Sequence, residues 1–242
     1  MVVRDESGNE TNKDFTLHVI KEFASSSNNN SMPTGINFSE AVEKYKNDNT
    51  MLGIDVSSFQ GEIDWEKVKN AGVEFAIIRL GFGYTVNMEL VLDKYFQANL
   101  EGAKNQGLKV GVYFYTYANT LEEIEEQAKF ISDNLHGEEL ELGVTFDWEN
   151  WNNFQDYQVS FYDLNNMYDN FNSILKNKGY DTMLYGSKFY LSNVWSTSNR
   201  KIWLAHYTSM TNYDKDFKLW QFSDKGLVDG INGFVDLDIL YK

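Results

Sequence analysis

From Gly53 to Leu240 the chain alternates short apolar, β-prone runs with longer amphipathic segments, and this alternation constrains the fold more than any other feature. We take the apolar runs as eight strands, at residues 53–57, 75–80, 109–115, 143–148, 182–186, 201–205, 217–221 and 235–240. Helical patterns lie between the first five runs, at residues 64–71, 91–106, 121–135 and 160–178. Strands that alternate with helices predict parallel strands covered by helices, as in an α/β protein.

The connections between the predicted strands differ in length. The first four, residues 58–74, 81–108, 116–142 and 149–181, are long enough for a crossover helix, which needs about a dozen residues or more. The last three, residues 187–200, 206–216 and 222–234, leave room for little or no helix, so that some late strands can run antiparallel. We predict an eight-stranded α/β barrel with a regular first half. An open doubly wound sheet is the alternative, although no GxGxxG or GxxxxGK[ST] phosphate loop follows any strand.

The first 50 residues differ in composition from the rest. Residues 25–31 are all Ser or Asn, and the single proline, Pro33, follows them. Residues 37–45 have the pattern of a short helix. No apolar segment typical of a secretory signal follows Met1. We assign residues 1–50 to an N-terminal extension or spacer and residues 51–242 to the barrel.

The composition excludes several classes of function. A formal net charge of −15 argues against nucleic-acid binding, because neutralising phosphates needs a basic surface. The chain has no Cys, and its three histidines, His18, His136 and His206, are scattered, so we expect no metal and no cofactor. No apolar run approaches the ~20 residues of a membrane span.

Acidic residues stand at the ends of three predicted strands. Asp55 lies in the first run, Asp147 and Glu149 close the fourth, and Asp236 and Asp238 lie in the last. Side chains alternate along a strand, so Asp147 and Glu149 share one face. Closing a barrel places the first strand beside the last, which makes Asp55 and Asp236 neighbours. We therefore expect four carboxyl groups around one pocket at the carboxyl ends of the strands.

Paired carboxyl groups of unequal pKa suit glycoside hydrolysis, in which one protonates the leaving oxygen and the other stabilises or attacks the developing cation. Glu149 is our candidate proton donor, because neighbouring Trp148, Trp151 and Asp147 all favour its neutral form. The alternative is that Asp147 and Glu149 are exposed acids at the start of a helix.

Arg79 and three tyrosines complete the candidate site. Arg79 lies in an apolar strand, either as a buried counter-ion for the acidic cluster or as a direct substrate contact. Tyr115, Tyr185 and Tyr207 lie at or just after the ends of their strands, where an aromatic face can stack on a sugar ring and the hydroxyl can bond its substituents. The other aromatic residues are interpreted as core or rim packing.

Several motifs in order resemble the family 25 glycoside hydrolases, the Chalaropsis-type lysozymes. They are GIDVSSFQG with IDW at 53–65, FAIIR at 75–79, GVY at 111–113, FDWE at 146–149, WLAHY at 203–207, WQFS at 220–223 and GINGFVD at 230–236. The resemblance covers about residues 51–242. It implies an irregular TIM-like barrel of five βα units and three further strands. It also implies cleavage of the β-1,4 bond between N-acetylmuramic acid and N-acetylglucosamine in bacterial peptidoglycan.

In the same resemblance, Glu149 matches the general acid/base, Asp147 the partner carboxylate, and Asp55 and Asp236 the other pocket aspartates. We expect cleavage with retention, by a monomer acting outside the cell or at the cell wall, where a polar N-terminal segment suits a spacer from an anchor. A chitin-type β-1,4-N-acetylglucosaminidase and a non-catalytic peptidoglycan-binding module remain alternatives.

Overall fold

Eight strands form a closed barrel, and each contains or overlaps one of the predicted apolar runs. They are β1 (Thr50–Val56), β2 (Phe75–Gly83), β3 (Lys109–Thr116), β4 (Val144–Trp148), β5 (Thr182–Ser187), β6 (Ile202–Ala205), β7 (Leu219–Leu227) and β8 (Val235–Tyr241). The computed structural model describes residues 2–4, 10–12, 35–84 and 89–242.

Hydrogen bonds join each strand to its neighbours around the whole barrel. The strands β1 to β7 pair in parallel, each with the next along the chain. The last strand, β8, lies between β7 and β1 and runs antiparallel to both. The prediction of a barrel with antiparallel pairing among the late strands is confirmed, and the open doubly wound sheet is wrong.

In the described part of the chain, six α-helices accompany the barrel: α1 (Phe38–Tyr45), α2 (Trp65–Asn70), α3 (Phe96–Asn105), α4 (Leu121–Leu135), α5 (Phe161–Asn177) and α6 (Lys188–Asn193). The four helices predicted between the first five strands are confirmed. The second of these four, α3, begins later than predicted, because Leu90–Leu92 pairs antiparallel with β2 before α3 starts. The short helix α6 was not predicted. None of the described helices is long and apolar enough to cross a membrane.

Side-chain caps begin several of these helices. Asp64 accepts a hydrogen bond from the backbone of Lys67 and caps α2. Thr120 and Ser160 form capping boxes with Glu123 and Asp163 at α4 and α5. Each cap satisfies backbone N–H groups that have no partner inside the helix, so the helix start is specified locally by the sequence.

The chain divides into two compact units, residues 1–33 and 34–242. In the first, Val2–Arg4 pairs antiparallel with Glu10–Asn12. In the second, α1 belongs to the barrel, because Phe38 and Ala41 are buried in its core. The boundary that we set at residue 50 therefore lies inside the second unit. The Ser/Asn run at 25–31 and Pro33 are outside the described residues, and their role as a spacer stays a prediction.

Each of the two faces of the strands packs into its own apolar core. The larger core lies between the strands and the helices, and on β4 it receives Val144, Phe146 and Trp148. The smaller one fills the barrel interior with side chains that include Phe75, Ile77 and Trp203. These residues fill the end of the barrel where the parallel strands begin, which leaves the inward positions at the other end for polar groups.

Candidate active site

The four predicted acids meet at one end of the barrel. Asp55 and Asp147 are the penultimate residues of β1 and β4, and Glu149 follows β4 directly. Asp236 comes second in β8, which runs in the opposite direction and so starts at the rim where the parallel strands end. Asp236 stands directly opposite Asp55 in the strand register, as barrel closure predicted.

Asp147 and Glu149 form a coupled pair. Asp147 is buried, and burial raises its pKa well above the ordinary value, with a further increase from the charge of Glu149 and a hydrogen bond to it. Two carboxyl groups in contact cannot both ionise easily, so the pair holds a proton between them. One oxygen of Asp147, Oδ1, has no hydrogen-bond partner among the described residues and is available for such a proton.

Glu149 combines solvent access with a raised pKa. Its side chain opens to solvent at the barrel mouth. Desolvation by the surrounding protein nevertheless raises its pKa, while hydrogen bonds with Asp147 and Tyr185 act in the opposite direction. A carboxyl group whose pKa is raised and that can be reached from outside is suited to give a proton to a leaving oxygen.

Asp236 is held in its neutral form. Burial, the charges of Asp55 and Asp224, and a hydrogen bond to Asp55 raise its pKa to about 9. At neutral pH this side chain is therefore a hydrogen-bond donor to its neighbour across the strands, and it does not add a charge to the cleft.

Gln221 joins three of the predicted residues, and the sequence analysis missed it. Its Nε2 donates to Oδ2 of Asp55 at 2.7 Å. Its Oε1 accepts from the hydroxyls of Tyr185 at 2.9 Å and Tyr207 at 3.1 Å. The available signal was a glutamine between Trp220 and Phe222 in β7, because a buried amide needs hydrogen-bond partners.

Asp238 is the second residue that the analysis left without a role. It is completely buried on the inward face of β8, and Trp203 Nε1 donates to its Oδ1 at 2.8 Å. Its position two residues after Asp236 places both side chains on the same face of the strand, so this acid could have been assigned to the site from spacing alone.

All three predicted tyrosines lie around the carboxyl groups. The charges of Glu149 and Asp147 contribute to the raised pKa values of Tyr115 and Tyr185, after the larger effect of burial. The Tyr115 and Tyr117 hydroxyls share a hydrogen bond of 2.6 Å. Tyr207 is half exposed at the mouth. Partial burial and the charges of Asp236 and Asp55 raise the pKa of its hydroxyl. Their contact with substrate stays a prediction.

Arg79 has a partner that the sequence analysis did not identify. Its Nη2 lies 2.7 Å from Oδ2 of Asp93, and its Nε donates to the same oxygen at 2.8 Å. A further hydrogen bond reaches Ser58 Oγ at 2.8 Å, and the guanidinium lies 4.9 Å from the Phe59 ring centre. Arg79 thus pairs directly with Asp93, although its charge also lowers the pKa of Asp147. A role in substrate binding stays a prediction.

Two other observations concern residues outside the carboxyl cluster. His206 Nδ1 and Thr211 Oγ1 share a hydrogen bond of 2.9 Å within the loop that follows β6. Within residues 35–84 and 89–242, no group of three or more His, Cys, Asp or Glu side chains has an arrangement that could hold a metal ion.

A carboxyl pair at the end of β4, in a closed α/β barrel with tyrosines around the mouth, is the arrangement of a glycoside hydrolase that works through two carboxyl groups. Comparison with known proteins agrees. The family "Glycosyl hydrolases family 25" matches residues 54–231, and the chain belongs to this family.

Relatives and solved structures support the assignment. The chain is 34% identical over 191 residues to an autolytic lysozyme of Clostridium acetobutylicum, covering 78% of this chain and 55% of that relative. The chain therefore spans about half the length of this relative. A bacterial lysozyme from Streptomyces coelicolor is 25% identical, with a TM-score of 0.67 over 79% of this chain and 92% of that one. A family 25 glycosyl hydrolase from Bacillus anthracis shares the fold, with 22% identity and a TM-score of 0.68 over 82% and 92% of the two chains.

Proposed function

We propose that this protein is an N-acetylmuramidase, which hydrolyses the β-1,4 bond between N-acetylmuramic acid and N-acetylglucosamine in peptidoglycan. The observation that carries the proposal is the pair formed by solvent-accessible Glu149 and buried Asp147 at the end of β4, in which both carboxyl groups have raised pKa values. Membership of family 25 and the similarity to an autolytic lysozyme support the choice of substrate.

In the proposed reaction, Glu149 gives its proton to the glycosidic oxygen as the bond to the anomeric carbon breaks. Asp147 stabilises the positive charge that develops on the sugar ring. A nucleophile attacks the anomeric carbon from the opposite face as that bond breaks. Glu149, now ionised, then takes a proton from the water that displaces this nucleophile, and the two successive inversions retain the configuration.

Two groups are candidates for the nucleophile that attacks the anomeric carbon first. Either Asp147 forms a covalent glycosyl-enzyme, or the N-acetyl carbonyl of the substrate attacks while Asp147 orients it, as in substrate-assisted families. Trapping a sugar on Asp147 with a slow substrate and locating it by peptide mass spectrometry would reject the substrate-assisted version.

We further propose that the protein acts as a monomer at the cell wall, because its substrate lies outside the cytoplasmic membrane. In this proposal residues 1–33 serve as a spacer between the barrel and a wall or membrane attachment.

The decisive experiment is mass spectrometry of the products from purified peptidoglycan. Muramic acid at every new reducing end is the expected result, whereas glucosamine there would overturn the proposal in favour of another glycosidase. Cleavage of N-acetylglucosamine oligomers would indicate a chitin-type enzyme. Binding to cell-wall fragments without loss of turbidity, in wild type and in Glu149→Gln alike, would indicate a non-catalytic module.

A further inference from the structure

Asp238 presents a buried oxygen that needs a proton. Its Oδ1 accepts from the indole of Trp203 at 2.8 Å, but its Oδ2 has no hydrogen-bond partner among the described residues. The side chain is completely buried. An unpaired carboxylate oxygen in such a place is strongly unfavourable, so the oxygen must either carry or receive a proton.

Asp55 is the group in position to supply it. Both side chains point into the barrel from the neighbouring strands β1 and β8, and both are buried. One oxygen of Asp55, Oδ2, is occupied by Gln221 Nε2 at 2.7 Å. Burial raises the pKa of both carboxyl groups well above the ordinary value. A hydrogen bond between them raises the pKa of Asp55 further and offsets part of the increase for Asp238.

We propose that Asp238 is a positioning residue that holds Asp55 through one shared proton, so that the two carboxyl groups carry a single negative charge. The proton belongs mainly to Asp55, and Asp238 is the acceptor. Indole N–H is a donor only, so Oδ1 of Asp238 is an acceptor, and Oδ2 is the oxygen left to share the proton with Asp55. Gln221 holds the other side of Asp55, and the orientation of this carboxyl group is thereby determined from two directions.

The surrounding ionisable groups disfavour a second charge on the pair. They are Asp236 on β8, Asp147 on β4, Glu149 after β4, Tyr113 on β3, Tyr185 on β5, Tyr207 after β6 and Arg79 on β2. The charge of Glu149 raises the pKa of Asp55, and that of Asp236, once it ionises, raises the pKa of Asp238. Arg79 is the cation of this group, and its hydrogen bonds go to Asp93 and Ser58.

The substitution Asp238→Asn tests the proposal, because it keeps the shape and removes the need for the proton. The amide oxygen still accepts from Trp203, and the amide N–H replaces the shared proton toward Asp55. Wild type binds one more proton when folded than when unfolded, at any pH between the ordinary aspartate value and the raised value of the pair. Over that range the folding equilibrium constant of wild type should fall relative to Asp238→Asn by up to about tenfold per pH unit.

Denaturant unfolding of both proteins between pH 4 and pH 9 measures this difference. Asp216→Asn, which changes an exposed aspartate in the loop before β7, is the matched control and should follow wild type at every pH. Identical pH dependence in wild type and Asp238→Asn would overturn the proposal.

If Asp238→Asn does not fold, infrared spectroscopy of the wild-type protein tests the proposal instead. A buried carboxylic acid band assigned to Asp55 by isotope labelling should persist at neutral pH, and its absence would overturn the proposal.

A second measurement depends on the proposed function. The alkaline limb of kcat/KM in Asp238→Asn should move relative to wild type, while Glu149→Gln stays inactive at every pH. If wild type proves inactive on peptidoglycan, the proposed function fails, but the unfolding comparison still decides whether Asp55 and Asp238 share a proton.

Discussion

Nη2 of Arg79 lies 2.7 Å from Oδ2 of Asp93, and both side chains are almost completely buried. The same carboxylate accepts backbone N–H groups from Ser58 and Tyr95. The ion pair therefore ties three elements together at the mouth of the barrel: strand β2, the loop that follows β1 and the segment that leads into α3.

Replacing Arg79 with Met should destabilise the fold. The change leaves the Asp93 carboxylate buried without its cation, and breaking a buried pair in this way costs about 3–5 kcal/mol in the free energy of unfolding. Urea unfolding followed by circular dichroism measures the loss. The double variant Arg79→Met with Asp93→Asn removes the stranded charge and should recover part of it. A single variant as stable as wild type would contradict this account of the pair.

Glu149→Gln should abolish most of the activity. Glutamine keeps the shape of the side chain but has no proton to give, and general acid–base catalysis contributes about 10²–10⁴-fold. The rate of turbidity loss of a cell-wall suspension measures the effect, and an unchanged Tm shows that the variant is folded. Turnover close to that of wild type would remove Glu149 from its assigned role.

Asp147→Asn should reduce kcat and also change its pH dependence. The loss of charge beside the reacting sugar removes electrostatic stabilisation, for which about 10²–10³-fold is typical. The new amide would also donate to Glu149 in place of the shared proton, which favours the ionised form and lowers the pKa of Glu149. The alkaline limb of the rate profile should therefore begin at lower pH. A reduced rate with an unshifted profile would argue against the shared proton.

The pH–rate profile of wild type should fall on the alkaline side. Burial raises the pKa of Glu149, so the active, protonated form persists above the ordinary range of a glutamate and is lost as the pH rises through the raised value. Measuring kcat/KM from pH 4 to pH 10 on soluble glycan fragments tests this. A profile that stays flat through pH 9 cannot come from an enzyme whose essential acid is Glu149.

Asp236→Asn should make the protein less sensitive to alkaline pH. The pKa of Asp236 is about 9 in the folded protein, against 3.8 for the unperturbed side chain. The folded state therefore binds the additional proton between these values, and stability falls as pH rises, by up to about 1.4 kcal/mol per pH unit. The variant lacks this dependence, so its Tm relative to wild type should increase from pH 5 to pH 8.5. A constant difference in Tm would mean that Asp236 is already ionised.

The architecture could be predicted from the sequence because the patterns that specify its strands and helix starts are local. Each strand is a short apolar run, and Asp64, Thr120 and Ser160 specify helix starts within a few residues of themselves. The adjacency of Asp55 and Asp236 also followed, since it needs only a closed barrel and the position of each acid in its strand.

The partners of the buried polar residues were not accessible in the same way. Gln221 bonds Asp55 across 166 positions of the chain, and no spacing rule connects them. Asp93 lies in a segment whose pattern predicts a helix, whereas Leu90–Leu92 pairs with β2 and places Asp93 at the barrel mouth. In both cases the partner depends on how distant strands meet, and that information is absent from local periodicity.

The position of β8 between β7 and β1 has a consequence for the order of folding. The carboxyl cluster draws Asp55 from the first strand and Asp236 and Asp238 from the last, so it cannot form until the two ends of the barrel meet. Such long-range contacts form late, because closing a long loop loses much chain entropy before any contact compensates for it. A chain still emerging from the ribosome therefore has no cleft, and catalytic competence should appear in one step with the docking of β8.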